Sequence, residues 1–224
     1  MRIAYPPYDI SMEIEENHIY VLSVENTTAY SAILRDIWLQ AQGAEGNIIM
    51  SEGERILNLS KVAICIFNPF DINCNEKKIL NKVYQELKQV SLDNLVEEHA
   101  NVNKSILNYL EQVVQGVSYA LDYNIDLDIM DLLKVYDVHI QIEGETLLEN
   151  LVEYVRTVNQ ICKVSTVFAI GLKYYFNEKE LKQLYEFLFY EKINLIIVES
   201  MHSAMISNEK CWILDKDLCL ISPN

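Results

Sequence analysis

Apolar residues follow two rhythms along this chain, and the switches between them mark out its elements. Residues 18–24 are rich in β-branched and aromatic side chains and predict a strand, preceded by short extended pieces at 2–5 and 12–15. Asn26, Thr27 and Thr28 offer capping side chains to a helix over 29–42, and Gly43 is its stop. Strands are predicted near 47–50 and over 61–67, the second apolar on both faces as a central buried strand should be. At Asn68-Pro69-Phe70-Asp71 the rhythm changes. From 75 to about 121 apolar residues recur at helical spacing with no proline, which predicts one long helix or a broken pair. Such a stretch is too long for a crossover inside a compact sheet. It ends in an acidic turn, 122–128, before a short helix to about 135.

Alternation then returns, with strands at 138–142, 165–170 and 194–199 separated by helices at 145–162 and 177–192. A hairpin of 211–214 with 218–221 closes the chain. Strands alternating with helices predict an α/β head with a largely parallel sheet covered on both sides. The expected organisation is a first part of the head at 1–72, an inserted helical leg at 73–143, and a second part of the head at 144–224.

Composition narrows the class without naming a function. The 224 residues are half hydrophobic, enough for a core, and carry a formal charge of −15. The longest apolar runs, 62–67 and 195–198, fall far short of the ~20 residues that span a bilayer. The first seven residues have no long apolar core, so no secretory leader is expected. Cys65, Cys74, Cys162, Cys211 and Cys219 are scattered, without CxxC or zinc spacing, and read as reduced thiols of a cytoplasmic protein. An acidic chain is repelled by nucleic acid unless its bases are segregated or a cation bridges its acids.

Candidate chemistry is sparse. The turn after the first long strand, Val24-Glu25-Asn26-Thr27-Thr28, sits where a phosphate loop would lie, yet has neither glycine nor lysine. Without them the backbone cannot wrap a triphosphate and nothing neutralises its end. His18, His99, His139 and His202 are dispersed, and His202-Ser203 has no nucleophile elbow. Asp122, Asp126, Asp128 and Asp131, with Asn124 among them, supply the hard oxygens that calcium prefers, although EF-hand spacing is absent. A solvated turn or a helix cap is the plainer reading. Lys77, Lys78, Lys82 and Lys88 fall on the first helical stretch and Lys104 on the next, either as a solvated face or as a phosphate-tracking stripe.

Three stretches together resemble one family. They are Phe70-Asp71-Ile72-Asn73 with the following helix from Lys78 to Leu87, the segment from Ile125 to Gln141, and the ending from Trp212 to Ile221. The family is the small DNA-end-binding adaptation protein of subtype II-A CRISPR systems. The resemblance implies a head related to P-loop ATPases without their Walker A motif, and an inserted all-helical leg. It further implies a non-catalytic homotetrameric ring around double-stranded DNA, with Ca²⁺ ordering the legs. Such a ring supports spacer acquisition in antiviral defence beside the CRISPR integrase complex and the RNA-guided effector nuclease. On this resemblance the aspartates at 122, 126, 128 and 131 are the candidate metal ligands, and the lysines at 77, 78, 82, 88 and 104 the candidate DNA contacts. The chain departs from the family in a shorter acidic stretch before the short helix. The competing classes are a metal-dependent nuclease or degenerate NTPase, and a scaffold that needs neither DNA nor metal.

Overall fold

The computed structural model describes residues 1–222, which fall into two compact units. One comprises Met1–Asn73 with the chain from Ile142 onward, and the other Cys74–Gln141.

The first unit is α/β. Its strands are β1 (Arg2–Tyr5), β2 (Ile10–Glu13), β3 (Ile19–Val24), β4 (Ile49–Glu52), β5 (Arg55–Leu57), β6 (Ala63–Ile66), β7 (Thr166–Ile170), β8 (Asn194–Glu199), β9 (Glu209–Leu214) and β10 (Leu220–Ile221). Six of them form the main sheet in the order β10-β9-β3-β8-β7-β6. All its neighbours are parallel except β10, which turns back on β9. Numbered along the chain, the five parallel strands lie in the order 5-1-4-3-2. The register sets Ile19 opposite Leu195 and Ser23 opposite Glu199, so β3 and β8 end together at one carboxyl edge.

Alternation along each strand serves two apolar layers. Tyr20, Leu22, Phe168, Ile196, Val198 and Trp212 face a core shared with Ile33 and Ile37 of α1 (Thr27–Ala41). A second, antiparallel sheet, β2-β1-β4-β5, closes that core with Ile3, Met12 and Met50. Asp36 of α1 is buried there because its Oδ2 accepts hydrogen bonds from Tyr5 (2.9 Å) and Asn47 Nδ2 (2.6 Å). On the opposite face Val167, Ala169 and Leu195 meet Leu151 and Val155 of α6 (Leu147–Cys162) and Leu184 and Leu188 of α7 (Glu178–Tyr190). Each fully buried Leu or Ile of these layers contributes about 1.5–3 kcal/mol relative to exposure.

Local chemistry explains the boundaries. Both α6 and α7 begin with a reciprocal capping box, Thr146 with Glu149 and Asn177 with Glu180. The predicted strand at 61–67 is shorter, because Asn58 accepts a hydrogen bond from Ser60 N and caps the helical turn α2 (Leu59–Val62). The remaining β6 lies at the edge of the sheet, not at its centre. Its two-sided apolar character reflects layers above and below, which an edge strand also receives.

The second unit is helical, with α3 (Lys77–Asn94), α4 (Val96–Val114) and α5 (Ile129–Val135). The break predicted as one alternative falls at Leu95, whose φ of −129° leaves the helical region. The helical pattern expected to about 121 stops at Val114, with turns following at Gly116. The strand expected at 138–142 does not form. Its polar backbone is satisfied by side chains instead: Tyr84 OH donates to Val138 O (2.8 Å), and Asn75 exchanges two bonds with Ile140 N and O (2.8 and 2.9 Å). Apolar burial is thin here. Ile79 and Tyr84 of α3 are buried, whereas α4 buries no residue and exposes Val102, Tyr109 and Val113.

Candidate nucleic-acid interface and acidic segment

The turn between β3 and α1 is tied down by the Asn26 side chain. Asn26 Oδ1 accepts from Thr28 N and Ala29 N, both at 3.1 Å, and Asn26 Nδ2 donates to Lys216 O at 2.9 Å. The first amides of α1, which would cradle a phosphate in a nucleotide site, are therefore already taken up by the cap. Beyond them Thr27, Thr28, Ser31, Ala32 and Arg35 line only a shallow groove along the helix.

A buried polar network, invisible to sequence patterning, lies in the same unit. The Glu209 side chain is fully buried and accepts from Tyr185 OH (2.7 Å), Lys173 Nζ (2.8 Å) and Ile206 N (2.9 Å). Lys173 also donates through its backbone N to Glu199 Oε1 (3.1 Å) and through Nζ to Ala204 O (3.3 Å). Burial pushes the Glu199 carboxyl above its ordinary range, against the backbone bond and positive charge of Lys173 that pull it down. Burial and the neighbouring Glu209 likewise push the Tyr185 phenol up. Cys211 Sγ lies 3.8 Å from His202 Nδ1, but burial raises its thiol pKa, which makes it a poor nucleophile. The only sequence signals were a glutamate opening an apolar strand and a lysine just after one. Nothing in spacing joins positions 36 residues apart.

In the helical unit the four candidate ligands do not face a common point. Asp122 Oδ1 accepts from Tyr123 N (2.9 Å), and Asn124 Oδ1 from Asp126 N (3.1 Å), so these side chains fold onto their own turn. Asp128 caps α5 by accepting from Met130 N (3.0 Å), and both its oxygens receive Lys88 Nζ, at 3.2 and 3.1 Å. Its carboxyl is held below the usual range, first by the Met130 N–H and then by the Lys88 hydrogen bond. Asp131 accepts from Lys134 Nζ at 2.9 Å. Among the described residues no three His, Cys, Asp or Glu side chains converge as ligands of one cation. The donor chemistry suits a hard cation; the arrangement does not fit one.

The five candidate lysines divide. Lys77, Lys78 and Lys82 are exposed on α3, Lys104 is exposed on α4, and Lys88 is half-buried against Asp128. Lys78 and Lys82 are one turn apart and share a face. The four histidines stay dispersed: the ring nitrogens of His18 and His139 lie against the nearby backbone carbonyls of Glu16 and Asp137. Among the described residues no helix is long and apolar enough to cross a membrane.

A family model described as CRISPR-associated protein (Cas_Csn2) matches residues 40–218. The chain is similar to the CRISPR-associated protein Csn2 of Streptococcus agalactiae, being 18% identical over 230 residues that cover 100% of this chain and 99% of that protein. These matches bear out the resemblance carried by the segments around Phe70, Ile125 and Trp212. With most of its length matched, the chain belongs to the CRISPR-associated Csn2 family, and its role is CRISPR-associated.

Proposed function

We propose that this protein is a non-catalytic, sequence-independent binder of double-stranded DNA ends that acts in spacer acquisition as a homotetrameric ring, beside the CRISPR integrase and the RNA-guided effector nuclease. The observation that carries the reading is a set of exposed lysines on the two long helices of the helical unit. In a chain of net charge −15, Lys78 and Lys82 share an exposed face of α3 with Lys77 at its margin, and Lys104 is exposed on α4. Lysines so placed contact phosphates without reading bases. Two features support the rest. The strand order 5-1-4-3-2 is compatible with a P-loop-ATPase-like head, whose phosphate turn here has neither glycine nor lysine. The apolar residues that α4 leaves exposed suit a partner copy as cover.

The test compares a linear duplex with a closed circle of the same sequence, because a ring threads only onto an end. Retention on the linear form alone, insensitive to sequence, is expected. The logarithm of the affinity should fall with the logarithm of salt by about 0.9 per phosphate contacted. Lys78→Ala with Lys82→Ala should flatten that slope by about two contacts. Equal, salt-resistant binding to both forms would overturn the reading in favour of a scaffold, and accumulation of cleaved DNA would turn it into an enzyme.

A further inference from the structure

Lys88 differs from the other lysines of its helix. It is half-buried, and its ammonium spans both oxygens of a carboxylate 40 residues away. That carboxylate, on Asp128, also caps α5 through Met130 N, so each of its oxygens already accepts a hydrogen bond. Its acidic neighbours are occupied too, Asp131 by Lys134 and Asp122 by the backbone of Tyr123. A divalent cation of calcium's size takes roughly six to eight oxygens. It would have to displace two ammonium groups and undo a helix cap to gather them here. We infer that Lys88 is the internal counter-ion of the helical unit: its ammonium, and not a divalent cation or a DNA phosphate, neutralises Asp128 and ties α3 to the start of α5. An ammonium at 3.1 Å supplies Asp128 with a positive charge from within the chain, without a ligand. Lys88 is thus a positioning residue, separate from the lysines proposed to meet DNA.

The experiment is amide hydrogen exchange of the whole chain, without DNA, in millimolar calcium and in chelator. Protection of 126–137 in the unaltered protein should be the same in both. Lys88→Met should speed exchange there by about threefold or more, and Lys88→Arg should restore it. Asp128→Asn keeps a competent helix cap but removes the charge, so it should match Lys88→Met. The two together should add nothing further, as expected of one shared interaction. Calcium-induced protection of the unaltered protein, or unchanged exchange in both variants, would overturn the inference. A DNA-binding arm separates it from the ring proposal: Lys88→Met should leave the salt slope unchanged, and loss of about one contact from that slope would assign Lys88 to DNA instead.

Discussion

Glu199 and Glu209 show how two glutamates of similar burial make opposite demands. Glu199 has a raised carboxyl pKa, mainly from burial, so its ionised form opposes folding. Its stabilising share is fully present below the ordinary glutamate range and is lost as pH rises through the folded value. Glu199→Gln, whose amide oxygen still accepts from Lys173 N, should therefore raise the melting temperature at neutral pH, with the gain vanishing in acid. A melting series from acid to neutral pH checks this; a neutral-pH loss would contradict it. Glu209→Gln should instead lower stability. It leaves Lys173, whose side chain is only 10% exposed, without its anion, at a cost of about 3–5 kcal/mol. Denaturant melts of the two variants side by side read both signs. Neither role was legible in the sequence, because each partner of the network sits alone in an unremarkable local context.

Elements whose stability is local were the readable ones. Asn26, Thr146 and Asn177 carry their capping function in their own side chains, and α1, α6 and α7 begin where those residues place them. Segment 138–142 shows the opposite case. Its alternating apolar pattern is that of a strand, yet a strand also needs a neighbour, and Tyr84 and Asn75 take up its backbone groups first. Tyr84→Phe removes one such bond and leaves the part-buried Val138 carbonyl short of a donor, for a loss of about 0.5–1.5 kcal/mol. Asn75→Ala should free the Ile140 amide, seen as faster exchange at that residue with α7 unaffected. The candidate site was half legible for the same reason. Residue type and spacing picked out the acids and the lysines, but whether an aspartate meets a cation or a lysine depends on a contact 40 positions away.

At the scale of the molecule the two units rest on different foundations. The α/β unit has apolar layers on both faces of its main sheet, whereas the helical unit buries few apolar side chains and none on α4. A unit so lightly cored depends on mass action if partner copies cover it. We expect melting of the helical unit to shift upward with protein concentration while that of the α/β unit holds, and light scattering to give a particle several times 26.0 kDa. A 26.0 kDa particle with concentration-independent melting would remove the oligomer from the proposal. The class of fold could be read from alternation alone, but the order of the strands could not, since nothing local tells β3 which later strand will flank it.

That order governs how the chain is made. β3 is synthesised early, yet both its neighbours, β8 and β9, come from residues beyond 193. At a translation rate of about 5–20 residues per second, the apolar β3 strand waits roughly ten seconds or more on the ribosome with both edges unpaired. The helical unit is contiguous and emerges whole in that interval. Nascent chains truncated before β8 should thus present an exposed strand to chaperones, and the ribosome rather than the folded structure sets how long that hazard lasts.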